Sequence, residues 1–218
     1  MTEIDLLENY PKSKRNLDER LEQKTEDIRQ VARQFGVEFF DGDRKYGYGG
    51  YQYHPRFWQP VVPAFQKYYG LTKDSSILDV GCAKGFMLYD FMQLIPGIKV
   101  TGIDISAYAI EQAIAPVKPF LKVGNATSLS FPDKSFDLVT SINTIHNLPL
   151  EECKQALGEI QRVTRKHAFI TVDAYRTPEE KKRMDAWNLT AKTYMRVDEW
   201  IGLFNEAEYR GDYYWFIP

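Results

Sequence analysis

A glycine-rich turn between a predicted strand and a predicted helix is the part of the chain best suited to bind a ligand. Residues 77–86 read ILDVGCAKGF, so the turn follows a buried strand directly and precedes a helix. Gly81 permits a sharp turn, and Gly85 lets the start of the helix lie close to the strand. Backbone amides at such a helix start can face a polar ligand, and open α/β sheets bind ligands at this edge. The turn therefore predicts a site for a polar, nucleotide-like molecule.

Two nucleotide-binding motifs do not fit this turn. A P-loop requires G-x-x-x-x-G-K-[ST], whereas Lys84 precedes Gly85 here instead of following it. A dinucleotide fold requires G-x-G-x-x-G, and the turn lacks both the middle glycine and the final small residue. Phe86 would also crowd a pyrophosphate. Both patterns are therefore disfavoured.

The turn instead resembles motif I of the class I S-adenosylmethionine-dependent methyltransferases, which reads acid-x-Gly-x-Gly-x-Gly. Asp79, Gly81, Ala83 and Gly85 stand at its four positions, with alanine in place of the middle glycine. The resemblance implies that these residues cradle the amino-acid half of S-adenosylmethionine. Asp79 has an alternative role, in which it only braces the backbone of the turn.

The resemblance continues along the chain and implies further contacts with the cofactor. Asp104, followed by Ile105, ends the second predicted strand, where the family has an acid that accepts hydrogen bonds from both ribose hydroxyls. Asn125 and Ala126 stand where the family contacts the adenine amino group. The alternatives are a strand-end cap for Asp104 and an ordinary turn residue for Asn125.

The loops after the fourth and fifth predicted strands would carry the acceptor-binding groups. His146 is the leading candidate for a catalytic base, because an unperturbed imidazole titrates at about 6.5. A structural or substrate-orienting histidine is the alternative. The predicted substrate contacts in these loops are Asn143, Asn147, Asp173, Tyr175 and Arg176.

Residues 46–54 contain four tyrosines and three glycines and do not fit regular structure. Tyrosine rings can contact a sulfonium cation, and glycines would let the segment move, so we expect a lid over the cofactor. Tyr46 and Tyr51 are its predicted cofactor contacts, and the acceptor contacts are Tyr48, Tyr53 and Arg56. The alternative is an aromatic loop packed on the core.

Two regions position these residues. Residues 1–73 are predicted to form a helical, tyrosine-rich extension. The helical spacing of apolar residues from Leu17 to Phe35 predicts one helix that ends at Gly36, and a second helix is predicted over Phe57–Tyr69. Residues 74–218 alternate apolar runs with amphipathic stretches, which predicts an α/β Rossmann-like sheet of six or seven mostly parallel strands with helices on both faces.

Strands and helices of the second region can be assigned from these patterns. The predicted strands are Ser76–Val80, Val100–Ile105, Phe120–Val123, Phe136–Ile142, Ala168–Val172 and Tyr213–Ile217. The predicted helices are Phe86–Leu94, Ala107–Ala115, Leu150–Val163 and Asp198–Ala207, the last capped by Asp198. The family sheet closes with an antiparallel hairpin, so either the seventh strand is missing here or residues 189–195 supply it. An uncovered sheet edge would favour a homodimer.

Composition excludes several kinds of partner. The net charge of −2 gives no electrostatic footprint for nucleic acid, and no apolar stretch is long enough to cross a membrane. Two cysteines and three histidines form no spaced metal site and no disulfide framework, so we expect no metal and a reducing, cytoplasmic location.

The expected activity is methyl transfer from S-adenosylmethionine to an oxygen or nitrogen of a small polar molecule. The arginines favour an anionic acceptor, such as a sugar or a nucleotide-linked sugar. An NAD(P)-dependent oxidoreductase and a non-catalytic S-adenosylmethionine-binding protein are the alternatives.

Overall fold

The computed structural model describes residues 1–12, 16–49 and 52–218. Its helices are α1 (Leu17–Gln23), α2 (Glu26–Ala32), α3 (Val37–Asp41), α4 (Val62–Tyr69), α5 (Phe86–Leu94), α6 (Ala107–Glu111), α7 (Leu150–Val163), α8 (Pro178–Trp187) and α9 (Val197–Glu206). Its strands are β1 (Ser76–Val80), β2 (Lys99–Asp104), β3 (Leu121–Val123), β4 (Phe136–Ile142), β5 (Thr164–Tyr175), β6 (Met195–Arg196) and β7 (Asp212–Phe216).

Parallel pairing brings the carboxyl ends of the strands to one edge of the sheet. The strand order is β3-β2-β1-β4-β5-β6, β7 also pairs with β5, and each of these ladders is parallel. The register sets Asp79 of β1 between Gly102 of β2 and Thr140 of β4. This arrangement confirms the predicted Rossmann-like sheet and places the ends of β1 and β2 side by side.

Helices cover both faces of the sheet because its central strands are apolar on both sides. In β1, Leu78 and Val80 pack into the layer that contains α7, whereas Ile77 packs into the layer that contains α5. The amphipathic pattern predicted for α7 is confirmed, except that Leu150 at its start is 45% exposed. Each fully buried aliphatic side chain contributes roughly 1.5–3 kcal/mol, so this double-sided core holds the turn after β1 firmly.

The far edge of the sheet differs from the expected antiparallel hairpin. Met195–Arg196 supplies a two-residue strand close to where residues 189–195 were proposed as a substitute, and β7 runs parallel to β5. On the outer side of β7, the amide of Ile4 donates to the carbonyl of Tyr213 at 3.0 Å. The N-terminal residues thus occupy part of this edge, and the homodimer stays a prediction.

The N-terminal region contains more helices than its apolar spacing predicts. The single helix expected up to Gly36 is two helices, because the Thr25 side chain accepts from the amide of Ile28 and begins α2 anew. Gly36 does not end that helix but precedes the short α3. The helix predicted from Phe57 begins only at Val62, and Gly70 ends it in the left-handed conformation as expected.

Two helices of the second region also differ in their ends. The helix predicted over Ala107–Ala115 ends at Glu111. The residue before α9 is Arg196 and not Asp198, because the Glu199 carboxylate accepts from the Arg196 amide and closes the helix start two residues earlier. Neither change moves a residue at the edge where β1 and β2 end.

Across the described ranges, no helix is both long and apolar enough to cross a membrane. The same ranges contain no group of three or more His, Cys, Asp and Glu side chains that could hold a metal ion.

Candidate functional site

The turn after β1 has a backbone that favours glycine at three positions. Gly81, Ala83 and Gly85 have φ values of +88°, +48° and +75°. The amides of Gly81 and Cys82 both donate to the carbonyl of Ile103, at 2.8 and 2.9 Å. These bonds bend the chain toward the end of β2. A Cβ atom at Gly85 would come within 2.9 Å of the Val117 side chain, so that glycine lets the helix start pack closely.

Asp104 ties the turn to the end of the second strand. Its Oδ2 accepts from the Ala83 amide at 2.7 Å, and its Oδ1 accepts from the Ser106 amide at 2.8 Å. The side chain is buried, and burial raises the pKa of the Asp104 carboxyl although the two amide donors oppose this shift. An ionised carboxylate has about four lone-pair sites, so each oxygen can still accept a ligand hydroxyl.

Asp79 lies below the turn, at the carboxyl end of β1. Its Oδ1 accepts a hydrogen bond from the Thr140 hydroxyl at 2.8 Å. Burial raises the pKa of Asp79 to about 7; the hydrogen bond from Thr140 opposes this shift and the nearby Asp104 charge adds to it. A bound cation beside Asp79 would stabilise its ionised form.

The remaining predicted cofactor contacts are exposed or half-buried. Ile105 is 59% exposed, Asn125 is exposed and Ala126 is half-buried. The Asn125 side-chain oxygen accepts from the Thr127 amide at 3.0 Å, as in an Asx turn. This bond fits the alternative role of Asn125 as a turn residue and still leaves its amide group for a ligand, so its contact with adenine stays a prediction.

A cavity of about 230 Å³ opens beside the glycine turn. Its floor comes from the sheet edge and α5, and its walls come from the N-terminal region. The floor residues are Asp79, Gly81, Cys82, Ala83, Lys84, Phe86, Met87 and Ile142, and the wall residues are Tyr10, Phe39, Phe40, Gly49, Gln52, His54, Phe57 and Trp58. The cavity is at the small end for ligand sites, and its walls are mainly aromatic.

His146 and Asp173 form a buried pair away from the described lining of this cavity. His146 Nδ1 accepts from the Asp173 amide at 2.9 Å and lies 3.5 Å from the Asp173 carboxylate. Burial lowers the pKa of His146 to about 3 and raises the pKa of Asp173 to about 8. The imidazole is therefore neutral near pH 7, and its role as a base stays a prediction.

The described tyrosines of the predicted lid pack on the protein. The Tyr48 hydroxyl accepts from the amides of Leu189 and Thr190, and the Tyr53 hydroxyl donates to Asp90 Oδ1 at 2.7 Å. Tyr46 lies with its ring centre 4.9 Å from the Lys45 ammonium. These contacts fit the alternative of an aromatic loop on the core, while Tyr51 lies outside the described residues.

The remaining predicted substrate contacts are held by neighbouring groups. Asn143 has a φ of +51°, and its side-chain oxygen accepts from the Thr171 hydroxyl at 2.8 Å. Asn147 donates to the carbonyl of Asn143. The ring of Tyr175 lies below the Lys181 ammonium, and Arg176 pairs with Glu3 at 2.8 Å. Arg56 stacks on Phe57, with 4.7 Å between its guanidinium and the ring centre. None of these five stands among the described residues that line the cavity.

The aromatic walls were not predicted from the sequence. Tyr10, Phe39 and Trp58 are far apart in the chain and meet only because the extension folds over the sheet edge. The adjacent aromatic pairs at 39–40 and 57–58 were the available signal, but adjacent aromatics more often pack in a core.

Three contacts fasten the extension to the two ligand-binding turns. The Asp41 carboxylate accepts from Lys84 Nζ at 2.6 Å and from the Tyr108 hydroxyl at 2.7 Å. The Ser106 hydroxyl donates to the carbonyl of Phe35. The end of α3 is thus pinned between the glycine turn and the helix that follows Asp104.

The parallel sheet and the paired turns are those expected of a class I S-adenosylmethionine-dependent methyltransferase domain. Residues 78–172 match the model of a family described as a methyltransferase domain, which confirms the predicted family. S-adenosylmethionine is the cofactor of that family. The residues fit it, because the Asp104 oxygens retain lone pairs for a ribose and the turn opens onto a cavity beside the buried Asp79.

Several known proteins are similar to this chain. A demethylmenaquinone methyltransferase of Symbiobacterium thermophilum is 33% identical over 137 residues, which are 57% of this chain and 52% of that protein. A 2-methyl-6-phytyl-1,4-hydroquinone methyltransferase of Synechocystis is 29% identical over 60% of this chain and 41% of its own length. The crystal structure of YcgJ from Bacillus subtilis superposes with a TM-score of 0.55 at 20% identity, covering 67% of this chain and 66% of that chain. The chain spans about half the length of the curated relatives it matches.

Proposed function

We propose that the protein is an enzyme that transfers a methyl group from S-adenosylmethionine to a small molecule bound in the cavity beside the glycine turn. The observation that carries this proposal is the bond between the Ala83 amide and Asp104, which joins the two turns expected to hold the cofactor. In this arrangement Asp104 accepts from the ribose hydroxyls. Asp79 faces the cationic amino group of the methionine half.

When bound, S-adenosylmethionine supplies an electrophilic methyl group, which the acceptor takes as the carbon–sulfur bond breaks onto sulfur. The protein then has mainly to align the acceptor and exclude water. The aromatic walls suit both tasks, because large rigid rings order a flat ligand and leave little room for solvent.

The acceptor that we propose has a largely apolar body. The described lining offers few of the polar groups expected for a sugar, because the polar side-chain groups of the wall come mainly from Gln52, His54 and the Tyr10 hydroxyl. Two of the relatives are named for methyl transfer to demethylmenaquinone and to a phytyl hydroquinone, which are also acceptors with apolar parts. A sugar or nucleotide-linked sugar is therefore the second candidate, favoured only by the exposed Arg56 near the cavity wall.

We further propose that residues 1–73 act as a lid on a binding domain formed by residues 74–218. The contacts of Asp41 with Lys84 and Tyr108 support this role, because they bridge the two cofactor-binding turns from above. The small volume of the cavity also supports a lid that shifts to admit both cofactor and acceptor.

Isothermal titration calorimetry with S-adenosylhomocysteine and with NADH tests the assignment. We expect heat from S-adenosylhomocysteine and none from NADH, and the Asp104→Asn variant should lose most of the affinity while Asp198→Asn at the exposed start of α9 retains it. Binding of NADH alone would favour an oxidoreductase and overturn the proposal. Incubation with methyl-labelled S-adenosylmethionine and candidate acceptors then separates an enzyme from a non-catalytic binding protein, since only the enzyme labels an acceptor.

A further inference from the structure

One wall of the cavity is an aromatic cluster. The ring of Tyr10 lies 5.5 Å from that of Phe57 and 4.8 Å from that of Trp58, measured between ring centres. His54 continues the cluster, 6.3 Å from Phe57. Phe39 and Phe40 contribute a second group of aromatic rings to the lining. A cavity with such walls favours a flat, apolar ring system over a flexible polar chain.

His54 adds one polar group to this wall, and its hydrogen bond determines which one. His54 Nδ1 accepts from the Arg56 amide at 3.1 Å. A ring nitrogen that accepts a hydrogen bond carries no proton, so the neutral imidazole carries its proton on Nε2. His54 therefore offers the cavity a hydrogen-bond donor and has no second lone pair with which to act as a base.

Among the other titratable groups in the described lining, burial raises the pKa of Tyr10 to about 12, so its phenol stays protonated near pH 7, and the remaining groups are already engaged. Asp79 accepts from Thr140 and faces the cofactor in the proposed function. Lys84 pairs with Asp41, and the Cys82 thiol contacts the carbonyl of Ala83. These residues leave a donor but no uncommitted base. A methyl acceptor that has already lost its proton to solvent requires no base from the protein. The Arg56 guanidinium, which stacks on Phe57, favours negative charge nearby.

We infer that the acceptor is a flat phenol-type molecule whose ring oxygen enters as an oxyanion, lies beside the Tyr10–Phe57–Trp58 wall and accepts a hydrogen bond from His54 Nε2. The inference rests on the proposed function, which it deepens by naming the substrate class. The oxyanion supplies the electron pair for the new oxygen–carbon bond, the carbon–sulfur pair returns to sulfur, and the products are a methyl ether and S-adenosylhomocysteine.

Binding of matched probes to the protein saturated with S-adenosylhomocysteine tests this inference. The probes are 4-nitrophenol, nitrobenzene, which has the same ring without the oxygen anion, and glucose. We expect 4-nitrophenol to bind about tenfold or more tightly than nitrobenzene, and glucose to give no heat. One charge-assisted hydrogen bond accounts for such a ratio.

Two substitutions at His54 separate its donor from its bulk. Gln can place an amide donor near the position of Nε2, so His54→Gln should keep the affinity for 4-nitrophenol within about threefold. His54→Leu should weaken it about tenfold and leave nitrobenzene and S-adenosylhomocysteine unchanged. Equal binding of the two aromatic probes, an unaffected His54→Leu variant or preferred binding of glucose would overturn the inference alone. Failure of S-adenosylhomocysteine to bind would overturn the proposed function instead.

Discussion

The amide of Ala83 donates to Oδ2 of Asp104 at 2.7 Å, which joins the turn after β1 to the end of β2. The same carboxylate accepts from Ser106 through Oδ1. One buried side chain therefore shapes both halves of the expected cofactor site. Its loss should affect folding and binding together.

Asp104→Asn tests this double role. Asparagine has only one side-chain oxygen, so its NH2 group would face one of the two backbone amides that now donate to the carboxylate, and that amide would lose its acceptor. We therefore expect the free energy of unfolding to fall by about 1–3 kcal/mol. Affinity for S-adenosylhomocysteine should fall more than tenfold. Thermal unfolding and calorimetry measure the two effects. The matched change Asp198→Asn, at a carboxylate that is 67% exposed, should alter stability by less than about 0.5 kcal/mol.

Ala83 occupies a backbone position that a residue with a Cβ atom rarely adopts. Its φ of +48° costs roughly 1–2 kcal/mol, while glycine would lose about 0.5–1 kcal/mol more conformational freedom on folding. We expect Ala83→Gly to leave the free energy of unfolding unchanged or raise it by up to about 1 kcal/mol. Chemical denaturation measures this difference.

A second alanine in a helix provides the control for Ala83. Ala64→Gly in α4 places glycine at a helical position and should cost about 1 kcal/mol. Equal losses at Ala83 and Ala64 would contradict the strain assigned to the turn.

The central sheet and the glycine turn could be predicted because their signals are local. The run Phe136–Ile142 has Phe, Leu, Val and Ile at four of its seven positions, and the strand–turn–helix sequence around Gly81 and Gly85 is contiguous in the chain. The cavity wall could not be predicted, because Tyr10 and Trp58 are brought together by packing of the extension and not by a sequence pattern. The break between α1 and α2 was not predicted, because the helical spacing of apolar residues from Leu17 to Phe35 indicates one helix, whereas the Thr25 side chain caps a new one.

Stability should fall between about pH 4 and about pH 8 through two buried carboxyls. Burial raises the pKa of Asp79 to about 7 and of Asp173 to about 8, so the folded protein holds their protons more tightly than the unfolded chain does. For such groups, the stabilisation is complete below the unfolded pKa of about 3.9 and is lost as pH rises through the folded pKa. Between pH 6.5 and 8.5, Asp173 alone should lower the free energy of unfolding by up to about 2 kcal/mol.

Thermal unfolding at pH 6.5 and 8.5 checks this dependence. Asp173→Asn should reduce the fall, whereas Asp198→Asn should not. His146 acts at lower pH, because its pKa of about 3 lies below that of a free imidazole, so its contribution is lost as pH falls below about 6.5. A stability that rises between pH 6.5 and 8.5 would exclude the assignment to Asp173 and Asp79.

His146 can be tested both as a base and as a structural residue. Its Nδ1 accepts from the Asp173 amide, and its carbonyl accepts from the amides of Lys192 and Thr193. His146→Leu should lower the free energy of unfolding by about 1–3 kcal/mol, because it leaves a buried amide unpaired, while the side-chain oxygen of His146→Asn can replace Nδ1. If the role is structural, the Asn variant should retain methyl transfer within about threefold. A loss of about a hundredfold or more in both variants, with S-adenosylhomocysteine still bound, would instead support general base catalysis.

Asp41 should control how quickly the cofactor site opens. Its carboxylate accepts from Lys84 and from Tyr108; Lys84 lies in the glycine turn, and Tyr108 lies in the helix that follows Asp104. Asp41→Asn removes the charge that attracts Lys84, so we expect S-adenosylhomocysteine to dissociate about three- to tenfold faster and protease to cut residues 35–58 sooner. Tyr108→Phe removes only one of the two bonds and should give a smaller effect. Asp27→Asn, on α2 and outside this contact, serves as the matched control, and a dissociation rate that all three variants share with the unaltered protein would show that α3 does not gate the site.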